Sequence, residues 1–189
     1  FYAGRGQATE DPNDPLYENY IWPQEQDIEE NIEGTHFNSF FVGNELDHYG
    51  KLMGMGIFCH ELGHALGLPD FYNTNPYVTL PRNPFGFWSI MDAGPYVNRA
   101  NAPIGYTAYE RSYLGWLKIK ELTEPETVKL DPVSNKEGQL AAIVRSPNSR
   151  LEYFILENRT SDTWYPKEYK ENRGGGYETF TFGDGLMLS

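Results

Sequence analysis

The chain has 189 residues, 39% hydrophobic and 15% aromatic, enough for one substantial core with a small second lobe, which excludes a disordered chain. Its net charge of −12 comes without a basic stripe, which argues against nucleic acid as a partner and leaves solubility as the plain reading. Cys59 is the only cysteine, so no internal disulfide can form, and no apolar run approaches the length of a membrane span.

In chain order, Phe1-Tyr2-Ala3-Gly4 reads as a piece of strand, followed by an Asp-, Asn- and Pro-rich surface loop over 8–20. Ile21-Trp22-Pro23 offers an anchor, 27–33 is an acidic segment that reads as a solvated face, and 35–45 reads as a strand with Phe37, Phe40, Phe41 and Val42 as its apolar positions. The spacing of Leu52, Met55, Phe58, Cys59, Leu62 and Leu66 predicts a helix over 49–66 with those residues as its buried stripe. Gly54, Gly56 and Gly63 each lower its propensity by up to about 1 kcal/mol, which predicts close packing that compensates. Cys59 reads as a small buried hydrophobe within it.

Beyond this helix, 81–94 is loop-like and a second helix is expected over 107–114, ending near Gly115-Trp116. Strand patterns then follow at 127–130, 139–145, 152–157 and 185–188. Pro125 and the change of pattern put a soft boundary at 122–126, dividing a domain 1–122 from a β-rich segment 123–189. No signal peptide stands at Phe1, and both ends look like strands, so the chain is expected to be a fragment of a longer secreted precursor.

Chemistry is concentrated in His60-Glu61-Leu62-Gly63-His64-Ala65-Leu66-Gly67-Leu68-Pro69-Asp70. Residues four apart lie one turn apart on the same helix face, so the imidazoles of His60 and His64 can converge on one metal ion. Glu61 sits about 100° round the helix from His60, which suits a general base that reaches the activated water rather than the metal. Gly67 and Pro69 form a helix stop, and the reversal there can return Asp70 as an oxygen ligand, leaving one position open for catalysis. A bare HExxH string also arises by chance, and Asp70 taken alone could be an ordinary turn residue after a proline. The combination makes a zinc peptidase the leading expectation.

Three blocks in order strengthen it: His60 to Tyr72, Phe87-Trp88-Ser89-Ile90-Met91-Asp92-Ala93-Gly94, and Ala108-Tyr109-Glu110-Arg111-Ser112-Tyr113-Leu114-Gly115-Trp116-Leu117. With Tyr2 to Gln7, Asn44-Glu45-Leu46 and Tyr153 to Arg159 as weaker matches, the chain resembles the secreted metallopeptidases of the immune inhibitor A family over most of its length. The resemblance implies a mixed α/β (α+β) zincin or metzincin-like catalytic domain, with a twisted mixed sheet against the active-site helix and a small β-rich C-terminal part. It further implies one catalytic zinc held by His60, His64 and Asp70, with Glu61 as base, and a secreted or cell-surface location. Met91 resembles the methionine of a Met-turn, an apolar floor under the metal that need not ligate it.

Some alternatives stay open at this level. Glu110 lies on a predicted helix where a thermolysin-like enzyme would place its third ligand, though Arg111 beside it favours an ion pair. Tyr96, Tyr106 and Tyr109 are candidates for stabilising an oxyanion, and Phe71, Tyr72, Phe85 and Trp88 for an apolar wall around the site. His, His and carboxylate suit zinc, while ligand type alone does not exclude iron or manganese, and structural calcium is allowed but unsupported. The expected partners are protein or peptide substrates. The rival readings are a zinc hydrolase acting on a non-peptide amide or ester, and an inactive peptidase-like binding module, against which the intact Glu61 speaks.

Overall fold

The computed structural model describes every residue except 8–12, 48, 76, 78, 162–167, 173–176 and 182, so that part of the expected 8–20 loop lies outside the described residues. It is a mixed α+β protein whose chain divides into two compact units, Phe1–Pro103 and Ile104–Ser189. The sequence boundary at 122–126 falls inside the second unit, because helix α2 (Ala108–Tyr113) packs with the strands that follow it.

In the first unit, β1 (Tyr2–Arg5) pairs in parallel with β4 (Asn44–Leu46), and β2 (Gln24–Ile32) forms an antiparallel hairpin with β3 (Thr35–Val42). The acidic stretch is thus a strand, turned back at Glu33-Gly34, both with positive φ (50° and 83°), the conformation of a tight hairpin turn. The expected sheet against the helix is therefore two small two-stranded sheets in this unit.

Helix α1 runs over Gly56–Ala65, seven residues shorter at its start than the spacing predicted. The described residues before it make other backbone bonds instead: Asp47 N–H donates to Lys51 O, Gly50 N–H to Asp47 O and Met53 N–H to Glu45 O. The helix then begins where its backbone can meet another. Gly56 N–H donates to Ala100 O at 2.9 Å, and a Cβ on Gly56 would lie 1.9 Å from Pro95 O. A Cβ on Gly54 would lie 2.1 Å from the Ala100 carbonyl. Asn98, Arg99 and Ala100 all have positive φ, a left-handed turn that costs roughly 1–2 kcal/mol per residue and delivers that carbonyl to the helix N-terminus. Arg99 also pairs with Asp47, which accepts the N–H groups of Tyr49 and Lys51 at 2.9 Å each.

This docking overturns the expected buried stripe. The buried positions of α1 are Gly56, His60 and Gly63, whereas Phe58, Leu62 and Leu66 are exposed on it, as are Leu52 (71%) and Met55 (49%) just before it; Cys59 is half-buried. Glycines let two backbones approach closer than leucines would, so the side facing the protein is the one without apolar side chains. Phe58 still meets Phe41 edge-on, ring centroids 5.5 Å apart, and Phe1 packs edge-on against Phe41 at 5.4 Å.

The second unit has a mixed sheet in the order β10 (Gly185–Leu188), β7 (Tyr153–Arg159), β6 (Ala141–Arg145), β5 (Lys120–Glu121), with β5 parallel to β6 and the other pairs antiparallel; β8 (Glu168–Asn172) and β9 (Tyr177–Thr181) form a separate hairpin. The expected strand at 127–130 is not formed; the chain there belongs to no strand or helix. Ala108, Val133, Ala141, Ile143 and Ile155 make the core, flanked by Tyr109, Leu117, Ile119 and Tyr153. Along β7 every second residue is buried, and after Ile155 these are Glu157 and Arg159. Glu157 accepts the Ala108 N–H and the Arg159 Nε–H, both at 2.5 Å, so a carboxylate sits at the positive end of α2. Thr107 and Glu110 complete a capping box there.

Candidate metal centre

Helix α1 ends in a full Schellman motif: Gly67 takes φ 94°, its N–H donates to His64 O, and Leu68 N–H donates to Gly63 O. The chain thereby reverses within one turn. Phe71 N–H then donates to Met91 O at 2.8 Å, and this anchor fixes Asp70 beside the last turn of the helix.

His60 Nε2 and His64 Nε2 lie 3.2 Å apart, and Asp70 Oδ1 is 3.3 Å from the first and 3.1 Å from the second. Among the described residues this is the one group of three His, Cys, Asp or Glu side chains whose ligand atoms converge. The other ring nitrogens are engaged with backbone carbonyls, His60 Nδ1 with Ile90 O at 2.9 Å and His64 Nδ1 with Leu68 O at 2.8 Å. A carbonyl can only accept, so both Nδ1 atoms carry protons and both rings turn Nε2 inward. Asp70 Oδ1 is buried among them with no hydrogen-bond partner other than these two rings.

Three inward lone pairs repel unless something positive sits between them. In the ion-free protein that is a proton: its hydrogen bond to Asp70 raises His64 to about 9. Burial works to raise Asp70, but hydrogen bonds from His60 and His64 overcome it and hold the carboxyl well below the usual range. A divalent cation fits the same place. Ligand bonds of about 2.0–2.2 Å in a tetrahedron separate their donor atoms by about 3.3 Å, the spacing seen here.

Glu61 points elsewhere, its Oε2 accepting the N–H of Glu25 in β2 at 2.9 Å. Burial pushes its carboxyl above the ordinary range, against the charge of His60 and the Glu25 N–H. Met91 is fully buried, and the segment around it is held by Asp92, which accepts from Asn83 Nδ2 at 2.5 Å, Phe85 N at 2.8 Å and Gly86 N at 3.0 Å. Phe71 and Phe85 pack with centroids 5.4 Å apart.

The other candidates from the sequence lie as follows. Glu110, in the second unit, spends a carboxylate oxygen on the Thr107 N–H, and Arg111 reaches Val133 O at 2.5 Å. Tyr106 packs on Trp116, Tyr109 on Tyr113 and Tyr153, and Tyr96 is half-exposed. Sequence reasoning missed the carbonyls of Ile90 and Leu68 and the Glu25 N–H, which are backbone groups and leave no mark in residue type. It took Tyr72 only as part of an apolar wall, although its place two residues after Asp70 puts a hydroxyl near that carboxylate.

The model of the immune inhibitor A peptidase M6 catalytic domain matches residues 18–118, more than half of the chain. The chain belongs to this family. It is also similar to the pre-pro-metalloprotease PrtV of Vibrio cholerae serotype O1, in strains M66-2 and El Tor Inaba N16961, with 27% identity over 141 residues in each case. That match takes in 64% of this chain and 15% of the relative, so the chain corresponds to a small part of the Vibrio proteins' length. No solved structure matches it. Among the described residues no helix is long and apolar enough to cross a membrane.

Proposed function

We propose that this chain carries the catalytic centre of a secreted zinc-dependent endopeptidase. The observation that carries this reading is the meeting of two Nε2 atoms with one buried carboxylate oxygen that faces only them, in a member of a peptidase family. His60, His64 and Asp70 would hold the ion. When bound, zinc supplies polarisation of the scissile carbonyl and acidification of water.

The remaining steps belong to the chain. Glu61 takes the proton of the attacking water on a carboxylate oxygen and delivers it to the leaving nitrogen, so no acyl-enzyme forms. Its raised pKa suits both halves of that task, and the Glu25 N–H keeps the carboxylate from swinging to the ligand cluster. Met91 forms the apolar floor of a Met-turn, and the paired Phe71 and Phe85 rings offer a surface for substrate side chains. The substrates are proteins or peptides. The Vibrio relatives are named pre-pro-metalloproteases, and by that likeness this centre works outside the cell.

Metal analysis and cleavage of an unfolded protein, with a Glu61→Gln variant alongside, test the reading. One zinc per chain in both and cleavage in the parent alone is the expected result. Absence of stoichiometric zinc from both would overturn the ligand set.

A further inference from the structure

Two of the three convergent side chains take their setting from a segment that supplies no ligand itself. The Ile90 carbonyl meets His60 Nδ1 at 2.9 Å, and the Met91 carbonyl accepts the Phe71 N–H at 2.8 Å, which fixes the residue next to Asp70. His64 is different, because its Nδ1 meets Leu68 O inside the helix stop. The segment is buried at Ser89, Ile90, Met91 and Asp92, and one side chain closes it. Asp92 Oδ1 accepts from Asn83 Nδ2 at 2.5 Å, while its Oδ2 accepts the N–H groups of Phe85 at 2.8 Å and Gly86 at 3.0 Å. A carboxylate is acceptor-only on both oxygens, so it gathers three donors where an amide would turn an N–H of its own toward one of them. Bonds to a charged acceptor are also the stronger ones, which suits a loop that has to keep one shape.

We propose that Asp92 is a positioning residue of the metal centre: by closing residues 83–92 it holds the Ile90 carbonyl against His60 and the Met91 carbonyl against the chain that carries Asp70. This rests on the reading of His60, His64 and Asp70 as metal ligands. An imidazole whose outer N–H is bonded to a fixed carbonyl keeps both its tautomer and the plane of its ring, and the direction of Nε2 follows from that plane. Moving the Ile90 carbonyl therefore turns His60. His64 keeps its own acceptor on the helix stop, so the effect is confined to one of the two rings. Asp92 acts through backbone carbonyls and touches neither the ion nor a substrate.

Outer partners of metal-bound histidines change metal affinity by about 10–100-fold. The test measures zinc affinity of the full chain by competition with a chromophoric chelator, the imidazole Nδ1–H resonances of the zinc-loaded protein, and melting of the ion-free protein. The variants are Asp92→Ala, which removes all three acceptor contacts, Asn83→Ala, which removes one from an exposed position, and Glu157→Ala in the other unit as a comparison for lost stability alone. In Asp92→Ala, zinc binding should weaken at least about tenfold, with the His60 Nδ1–H resonance shifted or lost to exchange and that of His64 unmoved. Asn83→Ala should change the same two readouts in the same direction by less, with ion-free melting near the parent's. Glu157→Ala should melt early and keep the parent's zinc affinity and both resonances.

Parent-like zinc affinity and His60 resonance in folded Asp92→Ala would overturn the proposal and leave the metal reading standing. So would equal disturbance of the His60 and His64 resonances, or a loss of zinc affinity in Glu157→Ala matching that of Asp92→Ala, either of which would assign the effect to general loosening of the fold. If Asp92→Ala does not fold, Asn83→Ala decides by the same two readouts. A parent chain that binds no zinc would overturn the metal reading and this proposal together.

Discussion

The two units bury charge in opposite ways. In the second, Glu157 is fully buried, and its oxygens go to the Ala108 N–H and the Arg159 guanidinium. In the first, Asp70 is less buried, yet its Oδ1 faces only the Nε2 atoms of two imidazoles. Depth of burial therefore does not mark the reactive place in this protein. What marks it is polar capacity turned toward other nitrogen donors: a buried carboxylate closed upon a helix terminus is architecture, and one turned toward two imidazoles is what the proposed function takes as a receptor for a cation.

The largest break in that contrast is His64→Ala, which removes one of three converging donors. Stoichiometric zinc binding should disappear in equilibrium dialysis while the ion-free protein keeps its circular dichroism. Next comes Glu157→Ala, which leaves Arg159 buried without its carboxylate and the Ala108 N–H at the start of α2 without its acceptor. A loss of about 3–5 kcal/mol in denaturant unfolding is expected, with zinc affinity of the folded chain unchanged. If zinc affinity fell in step with stability, the two kinds of buried charge would not be separable.

Gly56→Ala places a methyl 1.9 Å from Pro95 O and should cost about 1–3 kcal/mol or more, weakening zinc binding as well, since the same helix carries both histidines. Asp47 sharpens the comparison through pH. Burial works against its charge, but the Lys51 N–H, the Arg99 guanidinium and the Tyr49 N–H outweigh it and keep its carboxyl below the ordinary value. Its stabilisation is therefore complete above about pH 4 and is lost as pH falls through the lowered folded value. Asp47→Asn should melt below the parent at neutral pH, and the two curves should converge in acid. The smallest effect belongs to Lys120→Ala. This exposed residue pairs with Glu126 at 2.6 Å, and less than about 1 kcal/mol should be lost.

The parts of this architecture that sequence revealed are those written in local spacing. His60, Glu61 and His64 stand at helical intervals, Gly67 signals the stop, and the pattern over 107–114 marks the second helix. The rest depends on backbones meeting. The apolar residues of α1 have helical spacing and still face outward, because Gly54 and Gly56 approach the 95–100 segment more closely than a leucine stripe allows. Strand β2 escaped notice because its hairpin is largely exposed, so no alternation of apolar and polar residues is required of it. The 127–130 segment has a strand's pattern without a strand to pair with, and pattern alone does not supply one.

The return of the chain from the helix to Asp70 also limits how portable this centre is. A fragment spanning 56–70 contains all three donors, yet it carries only the carbonyl that orients His64; the acceptor for His60 comes from a residue thirty positions downstream. Grafting the contiguous motif alone into another scaffold would move the ligands and leave half of their tautomer control behind. A working graft has to bring the Ile90 segment too, along with the Asp92 clamp that shapes it.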